Sequence, residues 1–259
     1  MWHERAMSRV CILGATSAIA SEVAHLYAMR GARLFLVGRD REKLATLCES
    51  LRARAPGLSL TSEARDLALF STDDDHAALV SRARDTLGGL DTVLIAHGFL
   101  GDQLLSERSF DEAEHIVRVN FLSVVALTIP IANILAEQRH GTLGVITSVA
   151  GDRGRPRNYT YGAAKGALHI YLQGVRSRLF SSGARITTLK LGPVDTPMTT
   201  SHEKNALFGE KSAVARDIVT ALDEGRAEVY VPSYWGGIMP VVRHMPERLF
   251  QKVKALSGR

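Results

Sequence analysis

Seven short apolar runs, most of them rich in β-branched residues, alternate with longer segments whose apolar residues recur every three or four positions. This alternation constrains the chain more than any other feature. The runs lie at 9–14, 33–37, 58–62, 91–96, 142–147, 185–191 and 228–231. Helix-period segments fall at 18–30, 40–54, 73–87, 110–137, 159–181 and 213–224. Strand-helix-strand repetition predicts an α/β fold: a doubly wound parallel sheet of about seven strands with helices on both faces. No linker, repeat or low-complexity stretch interrupts it, so one domain is expected over 8–232, with a basic extension at 233–259. Ser109-Phe110-Asp111-Glu112 has capping-box spacing, Gly31 and Gly183 stand where helices should stop, and Pro130 predicts a kink or break in the fourth helix.

Composition narrows the function classes. The chain has 259 residues, a formal charge of +5 and 46% hydrophobic residues, ordinary values for a globular protein. Its apolar runs read as too short to span a bilayer and its N-terminus lacks the apolar core of a signal peptide. Cys11 falls in a core strand and Cys48 in a helix, so no disulfide framework is expected and the setting reads as cytosolic and reducing. The basic residues are scattered without an aromatic-basic platform, which argues against nucleic acid as a partner. The nine histidines show no ligand spacing, so no metal is expected.

Ligands of open parallel sheets bind at the carboxyl ends of the strands. After the first strand comes Gly14-Ala15-Thr16-Ser17-Ala18-Ile19-Ala20. A glycine turn leading into a helix N-terminus offers free N–H groups to a pyrophosphate, and Thr16 and Ser17 add hydroxyls. Ala18 and Ala20 stand where a dinucleotide fingerprint carries glycines, and their methyls read as small intrusions. The second strand ends in Gly38-Arg39-Asp40. No carboxylate is placed there to bind a ribose 2′-hydroxyl, and Arg39 suits a 2′-phosphate, which favours NADP(H) over NAD(H). A solvated Arg39 and an Asp40 helix cap are the plainer alternatives. Asp66-Leu67 could face an adenine or cap the next helix. His97-Gly98 ends the fourth strand, the histidine reading as packed and the glycine as leaving room for a cofactor.

The fifth strand leads to Ser148, and the next helix opens on Asn158-Tyr159-Thr160-Tyr161-Gly162-Ala163-Ala164-Lys165. Tyr161 and Lys165 lie one turn apart on one helix face. A nearby ammonium favours tyrosinate, so the Tyr161 pKa is expected to fall and its proton to exchange near neutral pH. Ser148, at a strand end, can hydrogen-bond a carbonyl oxygen.

Ser148, with Tyr161 thirteen positions on, Lys165 and the upstream Asn120 resemble the catalytic set of the short-chain dehydrogenase/reductase family, and the likeness runs from about residue 9 to 231. The resemblance implies a Rossmann-type domain that interconverts a ketone and a secondary alcohol with NAD(P)(H). Tyr161 would be the general acid/base, Ser148 would steady the carbonyl, Lys165 would tune Tyr161 and bind the nicotinamide ribose, and Asn120 would hold a relay water. Val194 and Thr196 fall on the carboxamide-binding loop. The chain departs from the family at Ala18 and Ala20, at Ile95-Ala96-His97-Gly98, and at Leu191-Gly192-Pro193. A homo-oligomer, dimer or tetramer, is implied too. Residues 148–155 and 238–248 look more narrowly like the decaprenyl-phosphoryl keto-pentose reductases. That likeness implies a keto-sugar on a polyprenyl phosphate and a flavoprotein oxidase as partner. A non-catalytic nucleotide-binding scaffold on the same fold is the competing reading.

From Trp235 onward Ile238, Val242, Met245, Leu249, Val253 and Leu256 form an apolar stripe among Arg243, Arg248, Lys252 and Lys254. Such a basic amphipathic helix could rest on the inner face of a membrane or pack on its own domain or a sister subunit. Residues 199–212 read either as a lid over the substrate or as an inert loop.

Overall fold

The strands expected from the sequence assemble into one parallel sheet in the computed structural model, which describes residues 7–69, 73–197 and 207–253. They are β1 (Arg9–Leu13), β2 (Arg33–Gly38), β3 (Leu60–Ala64), β4 (Thr92–Ile95), β5 (Thr142–Ser148), β6 (Arg185–Leu191) and β7 (Glu228–Val231). Their order across the sheet is β3-β2-β1-β4-β5-β6-β7. The direction of winding reverses between β1 and β4, where Leu13 pairs with Ile95, and this opens a crevice at the strand ends.

Helices cover both faces. On one side α1 (Ala18–Met29), α2 (Arg41–Arg54) and α8 (Lys211–Glu224) pack on Val10, Ile12, Leu34 and Leu36. On the other, α3 (Asp73–Leu87), α6 (Ser123–Gln138) and α7 (Tyr159–Leu179) pack on Cys11, Leu13, Phe35 and Val37. Alternate residues of one strand thus enter different cores, which is why the central runs are apolar throughout rather than at every second position. Cys11 and Cys48 are both buried and unpaired. Gly31 and Gly183, with φ of +74° and +83°, end helices as expected.

Three local expectations need correction. The third strand lies two residues further on than 58–62, because pairing from Leu34–Leu60 to Gly38–Ala64 fixes it. As an edge strand it is half exposed, so its apolar pattern is a weak guide. Pro130 breaks nothing and lies within α6. The irregularity comes earlier, where a π-helical turn (Arg118–Leu122) joins α5 (Phe110–Val117) to α6. At that turn the Asn120 amide donates to Ile116 O at 2.9 Å and Ser123 Oγ to Val119 O at 2.7 Å. The continuous helix Phe110–Gln138 is, by length and composition, apolar enough to cross a membrane, with a mean hydropathy of 2.0 over its richest window. The apolar runs were therefore not all too short. Here Val124, Leu127, Ile131 and Leu135 bury that helix against the sheet and its neighbours.

The expected capping box is half formed. Ser109 Oγ accepts from Glu112 N at 3.4 Å, but the Glu112 carboxylate turns to Asp102 N at 2.9 Å. Asp102 itself caps α4 (Gln103–Ser106), a short helix that the sequence reading did not anticipate.

The extension forms α9 (Trp235–His244) and α10 (Glu247–Phe250). Trp235, Met239, Val242 and Phe250 are buried with Val149, and Ile238 and Met245 pack against them. Of the alternatives open for the stripe, packing on its own domain is the one seen, because Val149 at the end of β5 offers an apolar seat. Leu249 stays half exposed, and Leu256 lies outside the described residues.

Candidate active site

The chain leaves β1 through Gly14, whose φ is +89°. A Cβ there would lie 2.5 Å from His97 N, so both conformation and space require glycine. Gly14 N and Ala15 N both donate to Val37 O at 2.8 Å, tying the turn to the end of β2. Ser17 caps α1, its hydroxyl accepting from Ala20 N at 3.2 Å and its carbonyl from Ser21 N at 2.9 Å. That leaves the N–H groups of Ala18 and Ile19 in the first helical turn, where a helix offers donors to an anion. Ala20 does not intrude on this site. It is fully buried in the core, two residues from Ala18 and so on a different side of the helix.

Two adjoining cavities of about 400 and 260 Å³ share Thr16, Ser17, Ala96, His97 and Gly98 as walls. The larger takes in Ala18, Ile19, Ser148, Tyr161, Lys165, Val194 and Thr196. The smaller takes in Gly14, Arg39, Asp66 and Leu67. Of the residues expected to bind the cofactor or act in catalysis, Asn120 alone lies on neither wall.

Ser148, Tyr161 and Lys165 meet because α7 can press on the turn that follows β5. A Cβ at Gly162 would lie 2.8 Å from Ala150 O, and one at Gly166 would lie 2.8 Å from Gly151 O. Ser148 is held by accepting from Ala150 N at 3.1 Å. Lys165 is buried and donates to Ile146 O at 3.2 Å, and its Nζ lies 5.7 Å from the Tyr161 ring centre.

The electrostatics differ from expectation. Burial pushes the Tyr161 phenol up to about 12, with the Ser148 hydroxyl pulling the other way. Burial also pushes the Lys165 ammonium down to about 8. The expected fall of the tyrosine is absent, because desolvation outweighs a lysine that is itself desolvated and turned to a carbonyl. His97 is packed as expected, its Nε2 2.7 Å from Ser123 Oγ, and burial holds it neutral, its pKa lowered to about 3.

Asn120 is fully buried, and its amide nitrogen donates to Phe99 O at 2.6 Å and Ile116 O at 2.9 Å. Its oxygen accepts from Phe99 N at 3.1 Å. Both donors are committed to backbone, so the side chain clamps the Phe99 segment.

On the far side, Asp66 accepts from Ala68 N at 2.9 Å and lies 3.8 Å from Arg39 Nη1. Asp40 caps α2 through Glu42 N and Lys43 N. The Val194–Gly209 bridge ties the ends of the loop after β6 together. Residues 199–206 of the expected lid lie outside the described residues. The sequence reading missed Lys43, Arg65, Arg155 and Asn158, which also line the cavities. Lys43 and Arg65 follow β2 and β3, where a search of strand ends could have found them. Arg155 and Asn158 lie in a loop whose position depends on contacts remote in sequence.

Behind the larger cavity lies a buried ionic cluster. Asp152 accepts from Lys190 Nζ at 2.9 Å and Tyr230 Oη at 2.7 Å, and His169 Nδ1 lies 3.3 Å away. Burial alone would raise the Asp152 carboxyl, but hydrogen bonds from His169, Lys190 and Tyr230 outweigh it and hold it well below the usual range.

A parallel sheet in this order, with a glycine turn at its central strand and a Tyr–Lys cavity beside it, defines a dinucleotide-dependent oxidoreductase class. The chain belongs to the short-chain dehydrogenase/reductase family: the pattern of short chain dehydrogenases matches residues 8–207. It is 31% identical over 244 residues to an uncharacterized oxidoreductase of Streptomyces coelicolor, covering 93% of this chain and 94% of that one. It is 30% identical over 246 residues to an uncharacterized oxidoreductase of Mycobacterium tuberculosis, covering 94% and 96%. Among solved structures, a levodione reductase superposes with a TM-score of 0.78 at 22% identity, covering 87% of this chain and 96% of its own. An actinorhodin polyketide ketoreductase solved with NADPH gives 0.75 at 22% identity, covering 86% and 95%. These two likenesses are of fold.

The chain is thus an oxidoreductase of this family, which uses NAD(P)(H). The residues present fit that cofactor. Ala18 and Ile19 would offer N–H groups to its pyrophosphate, and the two cavities adjoin along shared walls. Gly98 lets Asn120 and Lys165 approach the strand end closely, since a Cβ there would lie 3.1 Å from Asn120 Oδ1 and 3.5 Å from Lys165 Nζ.

Proposed function

We propose that this enzyme reduces a ketone to a secondary alcohol with Tyr161 as the proton donor, and takes NADP(H) in preference to NAD(H). The observation that carries this reading is the convergence of Ser148, Tyr161 and Lys165 on one cavity, with the phenol held protonated. The dinucleotide, when bound, supplies the hydride. Ser148 hydrogen-bonds the carbonyl oxygen, and Tyr161 gives that oxygen its proton. Lys165 stabilises negative charge as it develops on the phenol. Asn120 is a positioning residue, holding the Phe99 segment beside the cavity. The NADP(H) preference is supported by Arg39 and Arg65 on the smaller cavity, Lys43 nearby on the larger, and Gly38 where a carboxylate would repel a phosphate.

A keto-sugar carried on a polyprenyl phosphate, oxidised beforehand by a flavoprotein partner, is the finer substrate reading. Its support is that the two segments of narrower likeness touch: Arg153 donates to Val242 O at 2.7 Å and Met245 O at 2.5 Å.

Tyr161→Phe tests the mechanism. It should keep cofactor binding and lose roughly 10²- to 10⁴-fold in ketone reduction, the usual worth of a positioned acid. Near wild-type turnover would overturn the assignment. The same titration with NADPH and NADH reads the preference, which equal kcat/KM values would remove.

A further inference from the structure

Arg155 stands on the wall of the larger cavity with Ser148, Asn158 and Tyr161. Among the described residues its Nε is buried with no hydrogen-bond partner, and its Nη2 reaches the Met239 sulfur at 3.9 Å. The nearest carboxylate in sequence, Asp152, is already matched by Lys190 and Tyr230, and Lys190 also reaches Glu228 at 2.7 Å. A half-buried guanidinium without a partner is costly, and a planar donor fork suits a carboxylate or phosphate.

The loop that carries Arg155 is also held in place. Its neighbour Arg153 clamps the loop to the tail through Val242 O, Met245 O and Glu247, and stacks 4.0 Å over the Phe250 ring. Met239 of α9 is fully buried behind Arg155. A donor fixed before the ligand arrives loses little entropy on binding.

We propose that Arg155 is the anchor for an anionic group on the substrate, so that the enzyme selects ketones bearing a carboxylate or phosphate over neutral ketones of the same shape. This deepens the ketoreductase reading and rests on it. The chemistry assigns the far end of the substrate, since Ser148 and Tyr161 take the carbonyl end. The direction of its proton equilibrium agrees: burial lowers the Arg155 pKa while Asp152 only partly restores it, as for a cation short of a counter-charge.

Two matched pairs test this with the full chain and NADPH: levulinate against methyl levulinate, and dihydroxyacetone phosphate against dihydroxyacetone. The anionic member of at least one pair should have the higher kcat/KM by about tenfold, the scale of one charge-assisted hydrogen bond. Arg155→Gln should collapse that ratio to within about twofold, and Arg155→Lys should keep part of it, as a point charge without the fork. Calorimetric titration of the two anions into the NADP⁺-loaded protein gives a readout independent of turnover. Binding should weaken about tenfold in Arg155→Gln. Equal kcat/KM within both pairs overturns the anchor and leaves the reductase reading standing, as does an anion preference that survives Arg155→Gln. Failure of both anions to bind the wild-type protein also overturns it. Anion binding that Arg155→Gln weakens, with none of the four ketones reduced, upholds the anchor and counts against the reductase reading.

Discussion

Tyr161 and Lys165 show how burial divides labour between two neighbouring groups. The phenol at about 12 is protonated at any pH the protein meets, which suits a donor in reduction. The ammonium at about 8 is the group that titrates within reach of experiment. Below about 8 it is charged, and above that value it is neutral. The kcat/KM for cofactor, which reports groups of the free enzyme, should therefore fall as pH rises through about 8, and Lys165→Met should abolish the inflection. A profile flat to about pH 10 would show that this charge is not used. The pair was legible because spacing alone puts both residues on one helix face. The sign of the Tyr161 shift was not, because spacing says nothing about how much water the fold removes. Asn120 teaches the same lesson: its helix was readable, but its bonds to Phe99 depend on a loop that tertiary packing brings alongside.

At the scale of elements, the alternation of strands and helices was legible almost throughout, since each central strand is buried on both faces. The bounds of edge strand β3, the π-helical turn at Arg118–Leu122 and the short α4 were not, because pairing and side-chain bonds set them. The tail was legible as an apolar stripe but not as to what it covers. Arg153 decides that, reaching Val242, Met245 and Glu247 from the turn after β5. Arg153→Met leaves those carbonyls without their donor and should destabilise the tail by roughly 1–3 kcal/mol, the cost of stranding buried partners. The Glu247 pair adds little, being largely exposed. Hydrogen exchange should then speed at amides of α9 and α10 while β5 keeps its protection. Unchanged exchange in α9 and α10 would mean that the apolar seat on Val149 suffices.

For the molecule as a whole, His97 links the cofactor cleft to acid stability. Its folded pKa lies near 3 against an ordinary 6.5, so between those values the unfolded chain binds the extra proton. Stability contributed by the neutral ring is complete above about 6.5 and is lost as pH falls toward about 3. On going from about pH 7 to about pH 5 this single group should remove about 2 kcal/mol. Denaturant unfolding at the two pH values should show that loss, and His97→Asn should flatten it. An equally steep fall in the variant would place the acid sensitivity elsewhere, Asp152 being the next candidate.

Position 192 lies on the cavity wall, and a Cβ there would collide with the Trp235 indole. Trp235 opens α9, which follows all seven strands in chain order. The cavity wall at Gly192 is therefore backed by a helix that lies outside the sheet. Any side chain at position 192 would have to displace that indole, so the seating of the tail against this wall hangs on a single glycine.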